Sequence, residues 1–139
     1  MNDAKQNALV AKALAVARVR ALRLGLLALH KSLIDAERRR YEKEHGRVSS
    51  PQAALRLVLE APQFQWLHPL AEMIVQMDEQ LAEEGAIDVA EAEAFVDRVR
   101  NLLHGEDGHE RFRQEYRRTL QDAPDVVMAH AEVGKQLNM

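Results

Sequence analysis

The chain has 139 residues, 47% of them hydrophobic, enough for one domain with its own core. Charged residues make up 29% and the formal net charge is −3, which excludes a disordered chain and a strongly basic polyanion binder. Cysteine is absent, so disulfides, thiolate zinc sites, iron–sulfur clusters and cysteine nucleophiles are excluded.

Twenty-one alanines and eighteen leucines stand beside one threonine, three isoleucines and 4% aromatics. That mixture favours helix over strand and predicts an all-α chain. Residues 4–45 hold no proline and one glycine, Gly25, and read as a single long helix closed by Gly46. Ser49 or Ser50 before Pro51 caps a short helix that runs to Glu60, where Ala61 and Pro62 stop it. Phe64, Trp66 and Leu67 crowd the next junction, and a third helix starts at His68 or Pro69 and runs to Glu84, before Gly85. Asp88 and Glu91 have the spacing of a capping box and open a fourth helix through Leu103. After a polar loop at 104–108, a fifth helix covers residues 109–122, and Pro124 restarts the chain as a sixth to about Leu137.

Short connections favour antiparallel neighbours, so a single-domain bundle of five to six helices is expected over residues 1–139. The first helix would span about 60 Å at 1.5 Å per residue, longer than a compact domain of this size. Its N-terminal third must therefore project, bend back or pack on another subunit, and residues 1–24 are the candidate extension. Leu9, Val10, Leu14, Val16, Val19 and Leu22 offer apolar surface for a homodimer there. Arg18, Arg20 and Arg23 interrupt this stretch, which excludes a spanning helix and the apolar centre of a secretory signal. A cytoplasmic setting is the expectation, with no membrane contact.

Charge is partitioned along the chain. Residues 1–47 carry a net +6, residues 48–97 a net −9 with Arg56 as their only basic residue, and residues 98–139 balance. The simpler account is a basic first helix packed beside acidic third and fourth helices. Nucleic-acid binding is disfavoured, because Arg38, Arg39 and Arg40 point in three directions around a helix and no aromatics are interleaved with them.

Several polar groups lie on faces that otherwise suit a core. At 100° per residue, Leu26, His30, Leu33, Ile34, Glu37 and Tyr41 share one side of the first helix. Asp78 falls within the stripe Leu67, Ala71, Ile74 and Leu81 of the third helix, and His130 within Val126, Val133 and Leu137 of the last. Isolated buried charge is costly, so these groups should meet one another, a basic residue, water or a ligand. Arg38 is the expected partner of Asp78. One reading is a satisfied polar network that sets helix register; the other is a ligand pocket formed by His30, Glu37, Tyr41, Asp78, His130 and Arg38.

Metal and catalytic signatures are missing. Glu42 with His45, and Glu106 with His109, have the Glu-x-x-His spacing of di-iron bundles. One sits in a helix's last turn and the other spans a glycine loop, so no metal or cofactor is expected. No zincin, Walker A, dinucleotide or nucleophile-elbow motif is present.

The segments LHKSLIDAERRRYE at 29–42, FQWLHPLAEMIVQMDE at 64–79 and DAPDVVMAHA at 122–131 resemble a family of small, uncharacterised bacterial helical proteins. The resemblance covers most of the chain after residue 24, implies a bacterial setting and brings no chemistry with it. The function expected from the residues is a non-enzymatic interaction or structural module that self-associates. A small-ligand binder or enzyme using the polar cluster is the alternative, and nucleic-acid binding through the first helix is the weaker one.

Overall fold

Two runs of apolar side chains, repeating alternately every three and four residues, organise the first 45 positions. The structure, a computed structural model, describes residues 2–138 and contains six α-helices and no strand among them. Helix α1 (Asn2–His45) is unbroken through Gly25 and about 66 Å long at 1.5 Å per residue. Its inner run is Ala15, Val19, Leu22, Leu26, Leu29, Leu33 and Ala36, all buried. That 3.5-residue period keeps one seam facing the rest of the molecule for its whole length.

Helices α2 (Pro51–Glu60), α3 (His68–Ala82), α4 (Val89–His104), α5 (Glu110–Asp122) and α6 (Pro124–Gln136) follow, with a 3-10 turn (Pro62–Leu67) before α3. The boundaries follow the expected chemistry. Ser50 Oγ accepts from the Ala53 amide at 3.1 Å and Pro51 fills the first turn of α2, while Asp88 Oδ1 accepts from the Glu91 amide at 2.8 Å at the start of α4. Gly46 ends α1 at φ +88°, a backbone conformation that costs other residues a steric penalty.

Helices α3, α4 and α6 and the 3-10 turn pack on α1. Helix α6 runs antiparallel to it: Gly25 lies against Val133, and Arg39 pairs with Asp125 at 3.3 Å. The core is continuous from Ala15 to Leu137, with Trp66 against Phe112 (ring centroids 5.6 Å apart) and Phe112 stacked on Tyr116 (5.5 Å). Residues 2–14 of α1 run beyond it, all exposed except Ala11, which is half-buried. The first third of the helix therefore projects rather than folding back.

Sequence phase misplaced one stripe. Helix α3 buries Leu70 and Met77 in place of Ala71 and Asp78, with Ile74 buried as expected. At those two places the true stripe is offset by one residue, or 100°, and Asp78 lies on the solvent side. The charge partition also resolves differently from the expectation: Arg23 pairs with Asp78 of α3, but Arg39 and Arg40 pair with Asp125 and Asp122 at the α5–α6 corner.

Candidate functional site

The six polar residues picked out by sequence do not converge. Glu37 is buried, as expected, but it faces the 3-10 turn rather than α3. Trp66 Nε1 donates to its Oε1 at 2.7 Å, Gln63 Nε2 approaches Oε2 at 3.5 Å, and Arg40 lies 3.5 Å from Oε2. Arg40 in turn donates to Thr119 Oγ1 at 3.0 Å and to Asp122 at 3.0 and 3.2 Å. Thr119 passes its own proton to the Glu115 carbonyl at 2.7 Å. Every oxygen of the Glu37 carboxylate is thereby engaged, in a chain that ties α1 to the turn and to α5. This arrangement is the satisfied polar network, not a vacant pocket.

Asp78 is exposed and pairs with Arg23, which corrects both its inward placement and its pairing with Arg38. Arg38 instead donates to the Val48 carbonyl at 3.0 Å, while its Nε sits 3.7 Å from Glu42, outside hydrogen-bond range. Glu42 accepts from the Val48 amide at 2.8 Å. Both backbone groups of Val48 are thus held by neighbouring turns of α1. With Arg39 on Asp125 and Arg40 on Glu37 and Asp122, all three guanidiniums of the Arg38–Arg40 run bond to other parts of the chain.

His130 lies half-buried elsewhere, with its Nδ1 2.6 Å from the Tyr116 hydroxyl and its ring edge-on to His104 at 5.1 Å. Burial pushes the Tyr116 hydroxyl well above the ordinary tyrosine range, and burial together with the facing His104 pushes His130 down. Both tendencies suit a hydroxyl that donates to a neutral Nδ1. Burial also lowers His104, and lowers His30, which is half-buried on α1. All three therefore protonate less readily in the fold than in the unfolded chain, where histidine titrates near pH 6.5. Their contribution to stability is therefore complete above pH 6.5 and lost as the pH falls below it. The thermal midpoint should drop between pH 7.5 and 5. A His104→Gln/His130→Gln variant, in which the new side-chain amide at position 130 still accepts from Tyr116, should drop less over the same range.

Tyr41 is half-buried, stacked on His45 with ring centroids 4.2 Å apart and tilted against Phe64 at 6.4 Å. It lines a cavity of about 540 Å³ between the end of α1 and α2, together with Arg47 and Arg56. Neither arginine was singled out from sequence, although Arg56 stands out as the one cation within fifty residues. Among the described residues no group of three or more metal-binding side chains forms, and no helix is long and apolar enough to cross a membrane.

The second run on α1 is Val10, Leu14, Ala17, Ala21, Leu24 and Ala28, again at alternating spacings of four and three. Its mean direction lies roughly 140° from the buried seam at 3.6 residues per turn. Nothing among the described residues covers its large side chains: Val10, Leu14 and Leu24 are 57%, 65% and 63% exposed. Leu9 and Leu27 widen the face, whereas Val19 and Leu22, expected to serve a dimer, belong to the protein's own core. The sequence roster mixed two faces that point almost oppositely. Compared with family models, with curated proteins and with solved structures, the chain matches none.

Proposed function

We propose that the protein is a non-enzymatic helical module that associates with a second copy of itself through the outer face of α1. The observation that carries the reading is the uncovered heptad run from Val10 to Ala28. A single solvent-exposed leucine needs no explanation, but a 3.5-residue repeat sustained over nineteen positions has the period of a helix–helix seam. A second copy supplies an identical seam, and the isologous contact closes on itself.

Charge favours the parallel, in-register pairing. In that arrangement Arg18 flanks the partner subunit's Ala13 and Arg20 flanks the partner subunit's Gly25, so no like charges meet across the seam. Antiparallel pairing about the middle of the run would bring Arg18 near Arg18 and Arg20 near Arg20. The small residues Ala17 and Ala21 let the two helices approach closely between the leucine layers Leu14 and Leu24.

Light scattering of the full chain tests the reading, with a dimer expected. Burying each leucine contributes roughly 1.5–3 kcal/mol, so Leu14→Lys/Leu24→Lys should weaken association by about a hundredfold or more. The helical circular dichroism of the domain should survive, because both side chains lie outside its core. As the chain has no cysteine, Leu14→Cys should form a disulfide dimer under mild oxidation if the pairing is parallel. A full chain that stays monomeric at millimolar concentration overturns the proposal, as does one that remains monomeric and instead sediments with anionic vesicles.

A further inference from the structure

We infer that the cavity between the C-terminal end of α1 and helix α2 is a binding site for a small organic anion, an apolar body carrying a phosphate or carboxylate. Its volume, about 540 Å³, lies within the range of small-ligand sites. Arg47 and Arg56 both line it, from different segments of the chain. Among the described residues neither guanidinium forms an ion pair or hydrogen bond with a protein carboxylate, although residues 48–97 hold ten acids and only this one arginine. Glu60, one turn beyond Arg56 on the same wall, does not pair with it.

The remaining lining supplies the apolar half of the ligand's environment: the stacked Tyr41 and His45 rings on one side and Leu57 on the other. The loop that carries Arg47 is fixed beforehand. Arg38 holds the Val48 carbonyl and Glu42 holds the Val48 amide, so the position of Arg47's neighbour is set before any ligand arrives. Two solvent-exposed arginines lining one cavity suit an oxyanion with several acceptor oxygens, and the aromatic stack suits a ring or chain attached to it. This site lies at the opposite end of α1 from the self-association face and does not depend on it.

Titration of isotope-labelled full-length protein with phenyl phosphate, followed by amide chemical shifts at constant ionic strength, tests the inference. Saturable shifts are expected at Arg47, Ser49 and Arg56, with phenyl phosphate binding about tenfold more tightly than inorganic phosphate. Benzoate should compete for the same amides, and benzyl alcohol should not. Arg47→Gln and Arg56→Gln should each weaken binding by about tenfold without changing the thermal midpoint, and Glu60→Gln should strengthen it. Three results would each overturn the inference: no saturable shift at these amides, an equal response to inorganic phosphate spread over the lysines and arginines of α1, or unchanged affinity in both arginine variants.

Discussion

Replacing Glu37 with alanine is expected to lower stability by about 3 kcal/mol, near the bottom of the range for breaking a buried ionic group's contacts. The substitution strands the Trp66 indole proton, whose acceptor at 2.7 Å is lost inside the core. It does not strand Arg40, which keeps Asp122 and Thr119, and this is why the larger penalties for an orphaned buried charge do not apply. For a domain of this length the thermal midpoint should fall by about 10 °C. Glu37→Gln retains an acceptor for the indole and should recover about half of the loss. Because Trp66 is the only tryptophan, its emission reports the site directly and should shift to the red in the alanine variant alone. An alanine variant as stable as the parent would mean that Glu37 does not hold the 3-10 turn to α1.

The second large effect is expected at Arg113. This side chain is buried, and among the described residues its guanidinium meets no carboxylate; it donates to the Asn101 carbonyl at 3.0 Å and to the Gly108 carbonyl. Asn101 lies in the last turn of α4, where unpaired carbonyls and the negative end of the helix dipole favour a cation. The same guanidinium pins a loop that turns through two positive-φ residues, Gly108 at +62° and His109 at +52°. A left-handed conformation at a non-glycine residue persists only where the surroundings hold it. Arg113→Met keeps the apolar stem, removes both donors and should cost about 2 kcal/mol, or about 7 °C in thermal midpoint. Amide exchange at residues 105–109 should accelerate more than exchange in α1. Equal acceleration in both would assign the loss to packing instead.

Helix ends were legible because the residues that make them act locally. Ser50 with Pro51, Asp88 with Glu91, and Gly46 need no tertiary partner to do their work, whereas α3 ends at Ala82, short of the expected stop at Gly85. The phase of α3 was harder to read, since Leu67, Ile74 and Leu81 belong to either of two apolar stripes one residue apart. Only packing against α1 chooses Met77 over Asp78. The 3-10 turn was visible as a crowded junction, but nothing in its sequence shows that Trp66 reaches back twenty-nine residues to Glu37. Arg113 shares α5 with Arg111, Arg117 and Arg118, and local pattern gives no reason for that one to turn inward. The two faces of α1 were both present in the sequence as periodic leucine and alanine. They were read as one because apolar side chains on opposite sides of a helix leave little net amphipathicity.

The projecting segment of α1 has a thermodynamic consequence. Residues 2–14 receive almost no support from the core, so their helicity rests on extension from the anchored part and on intrinsic preference. A second chain that zips along Val10 and Leu14 must also pay for any turns that have melted there. In the proposed dimer the dissociation constant would then inherit the backbone preferences of positions that never touch the other chain. Glycine at Ala8, about 1 kcal/mol less helical than alanine, would loosen the pair from a distance, and solvents that promote helix would tighten it.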